Sequence, residues 1–294
     1  MREPVLPAPV PTGASQAAIR AHYDVSNEFF EAWLDSSMTY SCAMWESGEE
    51  SLAAAQARKL DYHIEQAGLV RKERALDIGC GWGSALERMT SAHGVRKAVG
   101  LTLSDAQAEW IRRQNWPGVE VFVQDWAGHD PPEPYAGITC IGAFEHFARP
   151  ESTRPERVEA YRAFFSRCRE LVVVEGRMSL QTIAFGIGKY IPDTPLADIF
   201  PESHLPRLSE IAEAFDRIFE LELIRNDRHH YVRTLGAWLQ NLEANWDAAV
   251  RATSADVAER YRRYLQFTLM GFSAGFFDLL RISVRAIPPR RRRL

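Results

Sequence analysis

Two stretches of the chain combine residue type and spacing in a way that can do chemistry. The first is the run Asp-Ile-Gly-Cys-Gly-Trp-Gly at residues 77–83, with an acid at Asp77 and glycines at Gly79, Gly81 and Gly83. It directly follows a short apolar stretch and opens a helical pattern. Glycine lets the backbone turn tightly there and approach a bound ligand closely. The second is Glu145, just past the apolar run at 137–144. The carboxyl edge of a buried strand is where open α/β sheets bind ligands. A partly buried carboxylate at that edge can stabilise a cation or orient a base. It can equally be the acid that often opens a helix. Tyr231 follows His229 and His230 at what reads as a strand end, and adds a polar aromatic group. No H-E-x-x-H run and no Ser-His-Asp set stands out. His22, His63, His93 and His129 have no ligand spacing and receive no role, His146 reads as structural, and no metal site is expected. Cys42, Cys80, Cys140 and Cys168 are widely spaced with no C-x-x-C pair. Reduced thiols in a cytoplasmic protein fit that spacing better than a disulfide framework or zinc.

Alternating elements must carry these residues. Short apolar strands are expected at 74–79, 97–103, 119–126, 137–144 and 177–183, with helical patterns after the glycine run, after Ser104 and at 156–171. This βα alternation predicts an α/β fold with a doubly wound parallel sheet. Upstream, residues 16–68 read as helices, the second opening at Ser51 as N-cap and closing near Gly68. Downstream, a strand is expected at 221–227 and helices at 234–250 and 254–271. At 280–286, apolar residues alternate with Arg281, Ser283 and Arg285, the period of a strand with one polar face, antiparallel at or near the sheet edge. The proline-rich segment 185–208 is long for a connection, and such segments often form lids or substrate walls.

Composition narrows the class. The 294 residues are 46% hydrophobic and 25% charged, which excludes a largely disordered chain. The net charge of −4 argues against a general nucleic-acid binder. No apolar run approaches the ~18 residues that span a bilayer, and the proline-rich start has no apolar signal core. Residues 1–15 read as a mobile arm, 16–287 as one domain, and 288–294 as a basic tail. Within the domain, helices cover 16–68, a cofactor-binding core 72–184, a substrate-covering segment 185–220, and strands and helices 221–287.

The glycine run is G-x-G-x-G rather than the dinucleotide G-x-G-x-x-G, and the second strand ends without the acid that a nicotinamide site expects. The run resembles motif I of class I S-adenosylmethionine (SAM) methyltransferases. More broadly, the chain resembles the cyclopropane synthase family, which includes the mycolic acid cyclopropane synthases. The match is carried in order by His22, Tyr23 and Asp24 with Asn27 to Phe30, TYSCA at 39–43, LDIGCGWG at 76–83 and GLTLS at 100–104 with Gln107. It continues through GAFEHF at 142–147, IFP at 199–201 with Leu205 and Pro206, and HY at 230–231 with Thr234, Leu235 and Trp238.

The resemblance implies a SAM-binding role for Tyr40, Ser41, Asp77, Gly79, Gly81, Leu101, Thr102, Gln107 and Trp126, with Trp126 over the adenine. It also implies a bicarbonate ion as base, held by the Cys42 backbone, Glu145, a fifth-strand histidine and Tyr231. Here the histidine position holds Gln181. Glutamine can donate and accept hydrogen bonds but cannot carry a proton charge as histidine can. Two outcomes therefore stay open: transfer of a one-carbon unit to an alkene with cyclopropane closure, or C- or N-methylation of a specialised metabolite without it. Aromatic groups near the site, expected as Tyr23, Tyr40, Phe144, Phe147 and Tyr231, would shield a carbocation. The expected acceptor is a hydrophobic or carrier-bound acyl chain. An acidic carrier protein is a candidate partner for the arginine tail. Only about 75 residues precede the glycine run, fewer than the extra domain of the longer phospholipid synthases requires.

Overall fold

The computed structural model describes residues 13–15, 17 and 25–288. Tyr23, the start of the 16–68 helical region, most of the N-terminal arm and the arginines of the tail lie outside the described residues.

Helix α1 (Asn27–Glu31) opens on Ser26, whose hydroxyl accepts the Phe29 N–H. Helix α2 (Leu52–Gln66) opens in the same way on Ser51, as its sequence indicates. The βα alternation then appears: β1 (Arg74–Ile78), α3 (Ser84–Ser91), β2 (Lys97–Thr102), α4 (Asp105–Gln114), β3 (Val119–Val123), β4 (Tyr135–Ile141) and α5 (Arg154–Leu171). There follow β5 (Val172–Phe185), the short α6 (Pro195–Ile199) and α7 (Leu208–Phe215), β6 (Phe219–Asn226), α8 (Arg228–Ala244), α9 (Trp246–Ala252), α10 (Ala255–Ser273) and β7 (Phe277–Ala286).

The seven strands form one sheet in the order β3-β2-β1-β4-β5-β7-β6. β1 to β5 are parallel, while β7 runs antiparallel to both β5 and β6. The order reverses between β1 and β4, the switch point outside which such sheets bind ligands. On one face α2, α3 and α4 pack apolar side chains such as Ile64, Leu86 and Ile111 against β1 and β2. On the other, Phe164 and Phe165 of α5 and Ile211 of α7 cover β1, β4 and β5. A third, strongly aromatic cluster joins α1, α8 and α10 through Phe29, Trp33, Trp238 and Tyr261. No helix among the described residues is long and apolar enough to cross a membrane.

Four details differ from the sequence expectation. β3 stops at Val123, and Trp126 begins a single 3-10 turn capped by Asp125, whose carboxylate accepts the Ala127 N–H. β5 is twice the expected length. α8 begins at Arg228, so Tyr231 lies in its first turn and not at a strand end. β7 lies one strand in from the edge, which β6 occupies. Much of its polar face is not solvated: α2 covers Arg281 and Ser283, which are buried, and Ser283 donates to Gln66 of α2 at 3.1 Å, while Arg285 is half-buried among Glu175, Glu220 and Glu222.

Candidate active site

The glycine turn after β1 is shaped by the chain itself. Gly79, Gly81 and Gly83 all have positive φ, where a side chain is strained. A Cβ on Gly79 would lie 2.3 Å from Cβ of Ala143, so that glycine is required by packing. A Cβ on Gly81 would meet nothing within 4 Å; it would project into open space. That space is a cavity at the carboxyl ends of β1, β2 and β4.

All nine residues expected at the cofactor line this cavity: Tyr40 and Ser41 from the loop before α2, Asp77, Gly79 and Gly81 from the turn, and Leu101, Thr102, Gln107 and Trp126. Asp77 accepts the Thr139 hydroxyl at 2.7 Å, and burial lifts its carboxyl to about 6. Gln107 is held by the Thr102 hydroxyl at 2.7 Å. Lys59 also lines the cavity, although nothing in the sequence marked it. It is fully buried on α2 and donates to the Ser41 hydroxyl at 2.7 Å; burial lowers its ammonium to about 7.

A second cavity of about 660 Å³ adjoins the first. It runs under segment 185–208 and α10, and most of its walls are apolar, including Phe185, Phe200, Leu205, Tyr264, Phe267 and Phe277. The two cavities share Tyr40, Ser41, Gly142 and His146. His146 lines both. It stands at the junction, bonded to Ser203 at 2.6 Å, and burial depresses its imidazole to about 4.

Glu145, Gln181 and Tyr231 all face the second cavity. Glu145 Oε1 accepts the Ile183 N–H at 2.6 Å, while Oε2 is buried and makes no hydrogen bond with a described residue. Burial, opposed by the Ile183 N–H, raises its carboxyl to about 7. The Tyr231 ring packs on Phe272 at 4.6 Å. Cys42 does not line the cavity. Its buried thiol, raised to about 12 by desolvation, points at the Ala43 carbonyl. Phe144 is also absent from both cavities; it stacks on Tyr161 at 4.5 Å in the core beneath the sheet. Phe147 lines the first cavity rather than the second.

Behind Gln181 lies a polar cluster that sequence reasoning missed. Gln181 Oε1 accepts from Arg281 Nε at 2.9 Å and lies 3.3 Å from His63 Nε2. Arg281 also pairs with Asp227 and donates to the carbonyls of Cys42, at 3.3 Å, and Ala43, at 3.0 Å. His63 Nδ1 meets the Ser179 hydroxyl at 2.8 Å.

A doubly wound sheet with an acid and glycine turn at its switch point, opening on a cofactor-sized cleft, defines a class I SAM-dependent methyltransferase. The family model for mycolic acid cyclopropane synthetase matches residues 12–282, and the chain belongs to that family. It is a SAM-dependent methyltransferase of the cyclopropane-synthase type. Cyclopropane mycolic acid synthase 1 of Mycobacterium tuberculosis is 34% identical over 283 residues, covering 90% of this chain and 94% of that protein. The crystal structure of mycolic acid cyclopropane synthase CmaA1 complexed with SAH and CTAB superimposes with a TM-score of 0.83 at 32% identity, over 93% of this chain and 99% of that one. The cyclopropane synthase MmaA2 from Mycobacterium tuberculosis gives 0.83 at 29% identity, with the same coverage of each chain. Coclaurine N-methyltransferase, at 21% identity and 0.76, shares the fold.

Proposed function

We propose that the protein adds a one-carbon unit to an alkene carbon of a long unsaturated acyl chain and closes a cyclopropane ring, with bicarbonate as base. The observation that carries this reading is the shared wall. A polar, glycine-lined cleft and a large apolar cavity meet at Tyr40, Ser41, Gly142 and His146, where a methyl group could pass from one to the other. Relatives named for acting on mycolic acids support a lipid acceptor.

The residues fit SAM: the face of Gly81 is open, and all nine expected contacts line the cleft. When bound, SAM supplies a sulfonium methyl, whose C–S bond breaks towards sulfur as the alkene π pair forms the new C–C bond. Positive charge is left on the other alkene carbon. The rings of Tyr40, Tyr231 and Tyr264 line that region and present π faces without a strong nucleophile. Glu145 contributes a buried carboxyl with one unpaired oxygen. Loss of a proton from the transferred methyl, with its C–H pair forming the third ring bond, completes the product.

The residues also fit bicarbonate, which when bound would supply the proton acceptor. Glu145 offers its unpaired oxygen, Tyr231 its phenol and Gln181 its amide, all on the same cavity. Exposed Lys189 and Arg207 line the outer part of this cavity and suit an anionic head group or an acidic carrier protein. The second reading is methylation without ring closure. It is favoured by one fact, that Gln181 cannot carry a proton charge.

A CD3-labelled donor separates the two. Ring closure leaves two deuteriums in the product and methylation leaves three. Two deuteriums with cyclopropane proton signals by NMR are expected from an unsaturated acyl acceptor. Three deuteriums without ring signals would reject cyclopropanation.

A further inference from the structure

We propose that Arg281 is a positioning residue that turns the Gln181 amide so that its NH2 group faces the acceptor cavity, and that its charge makes this end of the cavity an anion site. The inference rests on the bicarbonate reading above and names the residue that makes that reading possible with glutamine in place of the fifth-strand histidine.

The orientation follows from donor chemistry. Guanidinium nitrogens only donate, so the Gln181 atom 2.9 Å from Arg281 Nε must be the amide oxygen. This removes the usual ambiguity of an amide flip. His63 reinforces it. Its ring is fully buried, and desolvation, with Arg281 and Lys59 nearby, holds its pKa well below 6.5, so it is neutral. With Nδ1 accepting from the Ser179 hydroxyl, Nε2 carries the hydrogen and points at the same amide oxygen. Two donors therefore occupy Oε1. The NH2 is the part of Gln181 left for the cavity that this side chain lines, and it makes no hydrogen bond with a described residue.

The charge follows from counting. Asp227 is shared between Arg281 and Arg225, so one carboxylate faces two guanidiniums. With His63 neutral, the surplus guanidinium is Arg225, whose side chain is partly exposed to solvent; Arg281 itself is fully buried, so its own charge is poorly screened. Arg281 also donates to the carbonyls of Cys42 and Ala43. It thereby ties Gln181 to the Cys42–Ala43 backbone, on a cavity that Glu145 and Tyr231 also line.

The test titrates 13C-bicarbonate by NMR into the complex with S-adenosylhomocysteine, alongside turnover in CO2-depleted buffer with bicarbonate added back. Arg281→Gln should weaken bicarbonate at least tenfold and leave S-adenosylhomocysteine affinity unchanged by calorimetry. Adding Gln181→His to that variant returns an ionisable donor to the cavity wall, with the new amide behind it to fix the ring, and should recover most of the loss. If Arg281→Gln does not fold, Arg281→Lys keeps a charge for Asp227 but loses the Nε contact, and should weaken bicarbonate severalfold. A folded Arg281 variant that binds bicarbonate like the parent protein overturns the proposal. A parent protein that neither binds nor needs bicarbonate overturns the base reading as well, so the two failures are distinguishable.

Discussion

If Glu145 acts in the proposed reaction, that reaction and the fold make opposite demands on it. Its carboxyl is buried beside an apolar cavity, and desolvation raises its pKa from 4.5 to about 7. A carboxyl raised on folding favours the folded state while it is protonated. That contribution is complete below 4.5 and is lost as pH rises through about 7. The melting temperature of the parent protein relative to Glu145→Gln should therefore fall between these pH values. A difference that stays constant with pH would show that the carboxyl is not strained by burial. At neutral pH the same variant should bind SAM normally while turnover drops about a hundredfold or more, the usual effect of removing a catalytic charge. Glu145 could be found in the sequence because an acid just beyond a buried strand stands out. Lys59, His63 and Arg281 could not. A charged residue on an amphipathic helix or an alternating strand reads as solvent-facing, and only the packing of α2 across β5 and β7 reveals that this polar face is buried.

Among the elements, the βα repeats were legible because each strand is short and apolar and each helix has a cap or glycine stop. The C-terminal third was less so. Asp227 is a residue type that often caps helices, yet its side chain makes no cap hydrogen bond to α8 because Arg225 and Arg281 take its oxygens. Asp227 reads equally as the end of the strand pattern at 221–227, so the helix start at Arg228 was masked and Tyr231 looked like a strand residue. The contact between α10 and β7 also depends on detail that no pattern reveals. A Cβ on Gly271 would lie 2.3 Å from the Phe277 ring, and both residues line the acceptor cavity. Gly271→Ala must displace that ring, which lines the cavity. Overpacking of this kind costs about 1–3 kcal/mol, which a denaturant titration would measure. The acceptor KM should rise while SAM affinity is unchanged. A variant with parental stability and KM would mean that Phe277 moves freely and does not shape the cavity.

For the whole molecule, the sheet's switch point places two unlike solvents side by side. One is a cleft lined by glycines and polar side chains, and the other an apolar cavity roofed by segment 185–208 and α10. The segment's proline-rich texture suggested a substrate wall, and its residues Ile187, Ile191, Leu196 and Leu205 do line this cavity. Its size and contents could not be read from the sequence, because they arise where α8, α10 and β7 converge from distant positions. If the occupant is an acyl chain, affinity must follow buried hydrocarbon. Each methylene removed from water contributes about 0.8 kcal/mol, or roughly fourfold in the dissociation constant at room temperature. A series of monounsaturated acyl ligands should therefore tighten about fourfold per added carbon until the cavity of about 660 Å³ is full, and then level off. Competition binding against a fluorescent fatty acid measures this directly. Leu205→Trp, which adds bulk to the cavity wall, should move the plateau to shorter chains without altering SAM binding. Affinity that ignores chain length in both proteins would exclude an acyl acceptor and favour a compact methyl acceptor in its place.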